Sequence, residues 1–263
     1  MVAGFGLLVL GGGLSAQVAV NRSDTYILPS EAQDARGIWV TPSGLAVRQE
    51  ASVYFDLTVA NPGSLGQLRQ LNVGFNARGL GFAYQRDQFS GGTTAGTYKL
   101  AFGTGQGPMA VGLGTTWYRG GTKGTGFDVG LTYRASGALA LAGVIANIGQ
   151  PNVRGLVQRV RYTASANLQL TPGFGLGALT SANPSGFRAF GADLRAAFDP
   201  GFPLGFVARM DTDQKFRRTQ FAFGFSIGGL NQMGLVATTP GNASSLNDVT
   251  LYGMSSRLPT RRH

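Results

Sequence analysis

Nine charged residues carry most of the chemistry this sequence offers: Asp56, Asp128, Arg134, Arg159, Arg161, Asp193, Arg195, Arg209 and Asp211. Each falls where polar or small residues alternate with large apolar ones, so in extended chain each shares the polar face. Facing a water-filled interior, such charges set the selectivity of a pore. Alternatively they pair with charges on a segment held inside, where removing one partner costs ~3–5 kcal/mol.

The residue types that other chemistry needs are missing or misplaced. The chain has no cysteine, and its only histidine is the last residue, His263. Thiol nucleophiles, zinc–thiolate sites and a Ser–His relay are therefore not expected. Asp211, Thr212 and Asp213 could offer carboxylate oxygens to a hard cation, but a solvated turn explains them better. The Gly103–Gly107 stretch lacks the Lys-Ser/Thr and the helix of a phosphate loop. Asn242-Ala243-Ser244 fits a glycosylation acceptor. We expect no enzyme, no cofactor and no metal site.

The net charge of +10 comes from 19 Arg and 3 Lys against 12 acidic residues. No basic run interleaves with aromatics, and only Arg217-Arg218 and Arg261-Arg262 are adjacent pairs. Nucleic acid is not an expected partner. Loops and a polar lumen account for the arginines.

The elements that must position these charges are short strands. In Thr219–Ile227, Phe221, Phe223, Phe225 and Ile227 share one face, while Gln220, Ala222, Gly224 and Ser226 share the other. The same alternation recurs from Ala51 to Ser256, in roughly fourteen segments (twelve is the alternative count) joined by turns such as Arg78-Gly79 and Asp199-Pro200-Gly201. A strand of ~9–11 residues crosses a bilayer when tilted, and repeated apolar-out, polar-in alternation is the mark of a membrane barrel. Only 13% of residues are charged, against ~25% in soluble domains. The less greasy faces carry Gly, Ala, Ser, Thr and Gln, where a soluble sandwich would carry Lys and Glu. Tyr84, Trp117, Tyr118 and Tyr133 sit where interfacial rings would. The expected fold is all-β: a transmembrane antiparallel barrel over 51–256 with an N-terminal plug segment.

Residues 1–16 read as a signal peptide, a short apolar run ending at Leu14-Ser15-Ala16. Residues 17–50 are mixed and polar. We expect them to pack inside or beneath the barrel, with a short helix around Ser30–Ala35 capped at Ser30-Glu31. Residues 257–263 form a C-terminal tail, without the terminal aromatic residue usual in such barrels.

Thr41-Pro42-Ser43-Gly44-Leu45-Ala46 resembles the Asn-Pro-Ala-Gly stretch near the N-terminus of FadL-type hydrophobic-compound transporters and the related PorV-type barrels. Ala146-Asn147-Ile148-Gly149-Gln150-Pro151, with Arg161-Tyr162 and the strand to Leu170-Thr171-Pro172, resembles a mid-barrel strand pair of the same group. Thr41 and Ser43 depart from the family's Asn and Ala. The resemblance implies a fourteen-stranded barrel in the bacterial outer membrane, with Thr41, Pro42, Ser43 and Gly44 in the plug. It further implies that membrane lipid surrounds the barrel and that a small hydrophobic ligand binds or passes. The alternative is a plugged barrel serving other envelope proteins as a structural or export partner, in the PorV manner. A secreted soluble β-domain is the third reading.

Overall fold

The computed structural model describes residues 20–48, 50–62, 66–89, 92–119, 124–153, 156–199 and 201–258. The signal-peptide reading therefore lies outside the described residues, as does most of the 257–263 tail. In chain order the strands are β1 (Ala51–Ala60), β2 (Gln67–Ala77), β3 (Leu80–Gln88), β4 (Thr94–Gln106), β5 (Met109–Arg119), β6 (Gly124–Arg134) and β7 (Leu139–Ile148). After a short hairpin of β8 (Asn152–Val153) and β9 (Leu156–Val157) come β10 (Arg161–Thr171), β11 (Phe174–Asn183), β12 (Gly186–Phe198) and β13 (Leu204–Asp213). The last three are β14 (Arg218–Ile227), β15 (Asn231–Pro240) and β16 (Asp248–Arg257).

Among the described residues, fourteen of these strands close into one antiparallel barrel, while β8 and β9 pair only with each other. The seam joins β1 to β16, from Ala51 opposite Arg257 to Ala60 opposite Asp248. The alternation anticipated fourteen, and the count of twelve drops out. A two-residue strand is too short to alternate, which is why β8 and β9 leave no sequence signal.

The two barrel ends differ. Connections 78–79, 107–108, 135–138, 172–173, 199–203 and 228–230 turn at one end. The other end carries 61–66, 89–93, 120–123, 149–160, 184–185, 214–217 and 241–247, which are longer on the whole. At the two-residue turn 78–79, Arg78 and Gly79 both take positive φ (54° and 102°), the conformation whose twist matches a two-residue hairpin.

Burial is inverted relative to a water-soluble domain. On β1, Ser52, Tyr54, Asp56 and Thr58 are buried, while Val53 and Phe55 are exposed. On β14, Ala222 and Ser226 are buried, whereas Phe223 and Ile227 are exposed and Phe221 and Phe225 half-exposed on the same face. Polar and small side chains thus line much of the inward face of the wall, and apolar ones cover the outside.

Residues 20–48 lie against the inward faces. Their elements are a 3₁₀ turn at Arg22–Thr25, a short helix at Gly37–Val40 and a second 3₁₀ turn at Pro42–Ala46. Tyr26, Ile27, Ile38, Trp39, Val40 and Leu45 form the apolar core with inward Tyr54, Ala83, Ala101 and Tyr252. The helix expected at Ser30–Ala35 is absent. The Ser30 amide donates to Ser165 Oγ on the wall (2.9 Å), the Glu31 carboxylate accepts from the Leu28 amide (3.1 Å), and the Glu31 and Ala32 amides both return to the Leu28 carbonyl, so the stretch is held in a turn against the wall.

Candidate functional site

The turn at Pro42–Ala46 needs a flat surface, and glycines provide it. A Cβ on Gly103 would lie 2.9 Å from the Pro42 carbonyl oxygen, and one on Gly81 would lie 2.9 Å from Leu45 Cδ1. On Gly112 it would overlap the Pro42 and Ser43 backbone, and on Gly130 the Thr41 hydroxyl. These four glycines, one each on β3 to β6, form the seat. Hydroxyls then tie the turn down: Thr41 Oγ1 to Ser43 Oγ and Ser43 Oγ to Thr132 Oγ1, both 2.8 Å. Asn76 Nδ2 donates to the Leu45 carbonyl at 3.0 Å. A Cβ on Gly44 would sit 2.6 Å from the Ala32 carbonyl oxygen, so the motif's glycine is needed where the segment folds back on itself.

This seat makes a prediction. Gly112→Val should cost about 1–3 kcal/mol, the usual penalty for overfilling a packed site. Gly143→Val, on the outward face with open space around its Cβ, should leave stability within ~0.5 kcal/mol of the parent. Urea midpoints of the refolded barrel compare the two, and equal midpoints would remove the seat.

Around the seat, inward charges on the wall meet charges on residues 20–36. Arg195 reaches the Glu31 carboxylate, Asp193 (3.3 Å) and the Tyr26 carbonyl (2.6 Å). Arg209 Nε contacts Asp211 at 2.9 Å, while its Nη1 donates to the Asp24 carbonyl at 2.8 Å. Arg161 pairs with the Asp24 carboxylate at 3.1 Å. Asp248, fully buried, holds Arg22 at 2.8 Å and Arg69 at 3.1 Å. Asp128 takes Lys99 at 2.5 Å and the Asn147 amide at 3.0 Å. Asp56 accepts from Asn72 Nδ2, and Asn21 Nδ2 donates to Asn72 and Gln85, each at 2.9 Å.

Local electrostatics within the inner segment follow the same logic. Burial opposes the Asp34 charge, but the Arg36 guanidinium at 2.7 Å prevails and holds its carboxyl below the usual carboxylate range. For Glu31 burial wins, pushing the carboxyl up despite Arg195.

Two cavities flank the segment. One, of about 320 Å³, opens at the longer-loop end, with Trp39, Val40 and Pro42 at its floor and Lys99, Asp128 and Arg161 among its charged lining. The other, of about 360 Å³, lies toward the short-turn end beside Tyr26, Glu31, Arg36, Arg195 and Tyr252. In the first, Lys99 Nζ stands 5.8 Å from the Trp39 ring, and in the second Tyr26 stacks on Tyr252 at 5.5 Å. The arrangement can hold a small molecule at either end of the segment.

No protein-family model matches this chain, and no curated protein sequence matches it. Its fold is similar to the crystal structure of the Ralstonia pickettii toluene transporter TbuX, with TM-score 0.60 and 9% identity over 89% of this chain and 98% of that chain. A triple mutant of Rhodopseudomonas blastica porin aligns at TM-score 0.47 and 9% identity, covering 79% and 99% of the two chains. KdgM porin aligns at 0.44 and 7%, covering 78% and 99%. The likeness to TbuX is one of fold.

Eight of the nine charges singled out in the sequence project inward from strands. Arg159 does not: it precedes β10, is exposed, and donates to Ser185 Oγ at 3.2 Å beside the cavity mouth. Arg161, the first residue of β10, reaches inward to Asp24 from a partly exposed position. Arg134 ends β6 beside Ser30 and Gln33. Tyr118 lines the cavity and does not belong with Trp117 on the outer face. Asp211 is taken by Arg209 and Asp213 by Arg217, so the cation reading of Asp211-Thr212-Asp213 gives way to two ion pairs. Lys99 and Asp248 were missed, although both sit on polar faces. Their partners lie far away in sequence, and alternation alone does not rank one inward charge above another.

Proposed function

We propose that the chain is a transmembrane β-barrel of the bacterial outer membrane, plugged by residues 20–46, that binds or passes small hydrophobic molecules without catalysing a reaction. One observation carries this reading: a closed wall whose exposed side chains include Phe, Leu, Val and Ile on every face of the barrel and whose buried ones include Asp, Asn, Gln and Thr. Water does not favour so continuous an apolar surface, whereas lipid does. The shorter turns then face the periplasm and the longer loops the exterior. The cavities on either side of the inner segment give a ligand places to rest, and rearrangement of the segment would connect them.

A test uses the full chain in liposomes with toluene as the probe, the compound named for the transporter of similar fold. Uptake above empty liposomes is expected, and it should rise in Arg195→Ala, which loosens the inner segment. No uptake and no conductance in either protein would sink the transport reading. The many ties between wall and segment favour a second reading, a permanently closed barrel that serves other envelope proteins. Recovery of a stoichiometric protein partner from native membranes, with no uptake, would select it.

A further inference from the structure

Arg86 on β3 and Arg119 on β5 both lie opposite Gly96 on the strand between them. Both arginines are exposed and on the outward face, near the longer-loop end. Neighbouring strands are ~4.8 Å apart, so the two backbones stand about 10 Å from each other, within reach of two long side chains converging over a residue that has none. The floor of that gap is aromatic. A Cβ on Gly96 would lie 3.4 Å from Tyr84 Cε2 and 3.7 Å from the Tyr84 hydroxyl. One row further into the wall, Tyr84, Tyr98 and Trp117 are cross-strand neighbours, with the two tyrosine rings 4.9 Å apart.

Among the described residues neither arginine has a carboxylate partner. The outward positions of β2 to β6 carry no Asp or Glu, and neither do connections 89–93 and 120–123. Two uncompensated guanidiniums therefore stand just beyond an aromatic row, at the depth where such rings meet headgroups. Guanidinium forks match the oxygens of a phosphate, and the Tyr84 hydroxyl adds a third donor.

We propose that Arg86 and Arg119, either side of Gly96 and over Tyr84, clamp the phosphate group of a lipid in the outer leaflet. This rests on the wall being lipid-facing. A lipid satisfies both halves of the site, because its chains lie along Tyr98, Leu100 and Phe102 while its phosphate sits between the arginines. Free phosphate would use only the polar half.

The full chain in uncharged detergent micelles is titrated with phosphatidic acid and, in parallel, with diacylglycerol, and bound lipid is counted by native mass spectrometry. Phosphatidic acid should bind roughly tenfold or more tightly than diacylglycerol. The preference should vanish in R86Q/R119Q and in Gly96→Glu, which places a carboxylate in the gap. If the double variant does not assemble, the single variants R86Q and R119Q should each lose several-fold. Equal binding of the two lipids, a preference that survives these substitutions, or displacement by an equal concentration of inorganic phosphate would overturn the proposal. A chain that stays folded and soluble without detergent would sink the membrane reading as well. A detergent-held barrel blind to phosphate sinks only the clamp.

Discussion

Replacing Asp248 by alanine is expected to lower the stability of the barrel by about 3–5 kcal/mol, the range for stripping one partner from a buried ion pair. The position explains the size. Asp248 opens β16, stands opposite Ala60 on the closing seam, and has a side chain with no exposure. Arg22 of the inner segment and Arg69 of β2 both form ion pairs with it. Removing the carboxylate strips the ion-pair partner from the largely buried Arg22 and leaves its guanidinium close to the positive charge of Arg69. Asp248→Asn keeps the shape and loses the charge, so it should recover little of the loss. Arg217→Ala breaks a pair on the exposed rim, where ion pairs contribute little, and should leave the midpoint nearly unchanged. Urea midpoints read by heat-modifiable gel mobility compare all three. Because Arg22 anchors residues 20–46, D248A should also open that segment to protease before the wall unfolds. A parent-like midpoint for D248A would mean that the seam stands without this triad.

The wall was legible in the sequence because its two faces meet different surroundings at every second residue. Val53 and Phe55 against Tyr54 and Asp56, or Phe223 against Ala222 and Gly224, report that difference locally. Repetition of the pattern was enough to count the strands. The inner segment was legible only as a stretch without alternation. Its conformation is set by partners scattered over the barrel, such as Ser165 for Ser30 and Thr132 for Ser43. A local capping rule points to a helix at Ser30–Ala35, where a turn closed on Leu28 and a bond from the Ser30 amide to the wall hold the chain instead. The glycines tell the same story. Gly81, Gly103, Gly112 and Gly130 could be read as narrow strand faces, but the turn they receive lies elsewhere in the chain. Likewise Asp128 could be placed on an inward face, yet Lys99 as its partner required the register of β4, β5 and β6. What is local was visible, and what depends on closure was not.

Closure also decides what the outer face must tolerate, and Phe223→Arg tests it most directly. Phe223 is 52% exposed in the middle of β14, flanked by Ala208 and Ala237 on the neighbouring strands. No inward partner is within the reach of an arginine placed there, because its side chain would leave the wall on the far side from the lumen. In a bilayer the substitution should cost about 2–4 kcal/mol at the midplane, and the cost should fall to ~0–1 kcal/mol near the interface. Thr219→Arg lies exposed toward the strand end, where the register with β13 shifts, and should therefore be nearly neutral. Arg218 already occupies that level, its guanidinium 5.8 Å from the Phe221 ring, as a long cationic side chain does when it reaches for headgroups. Were the wall bathed in water, both substitutions would fall within ~0.5 kcal/mol of the parent, and F223R would improve solubility. The difference between the two variants, measured by reversible unfolding in lipid vesicles, therefore reads the depth of Phe223. A large cost at 223 with none at 219 places the phenylalanine stripe in hydrocarbon. Equal small costs would put the apolar face against something other than lipid, and the transport reading would fall with it.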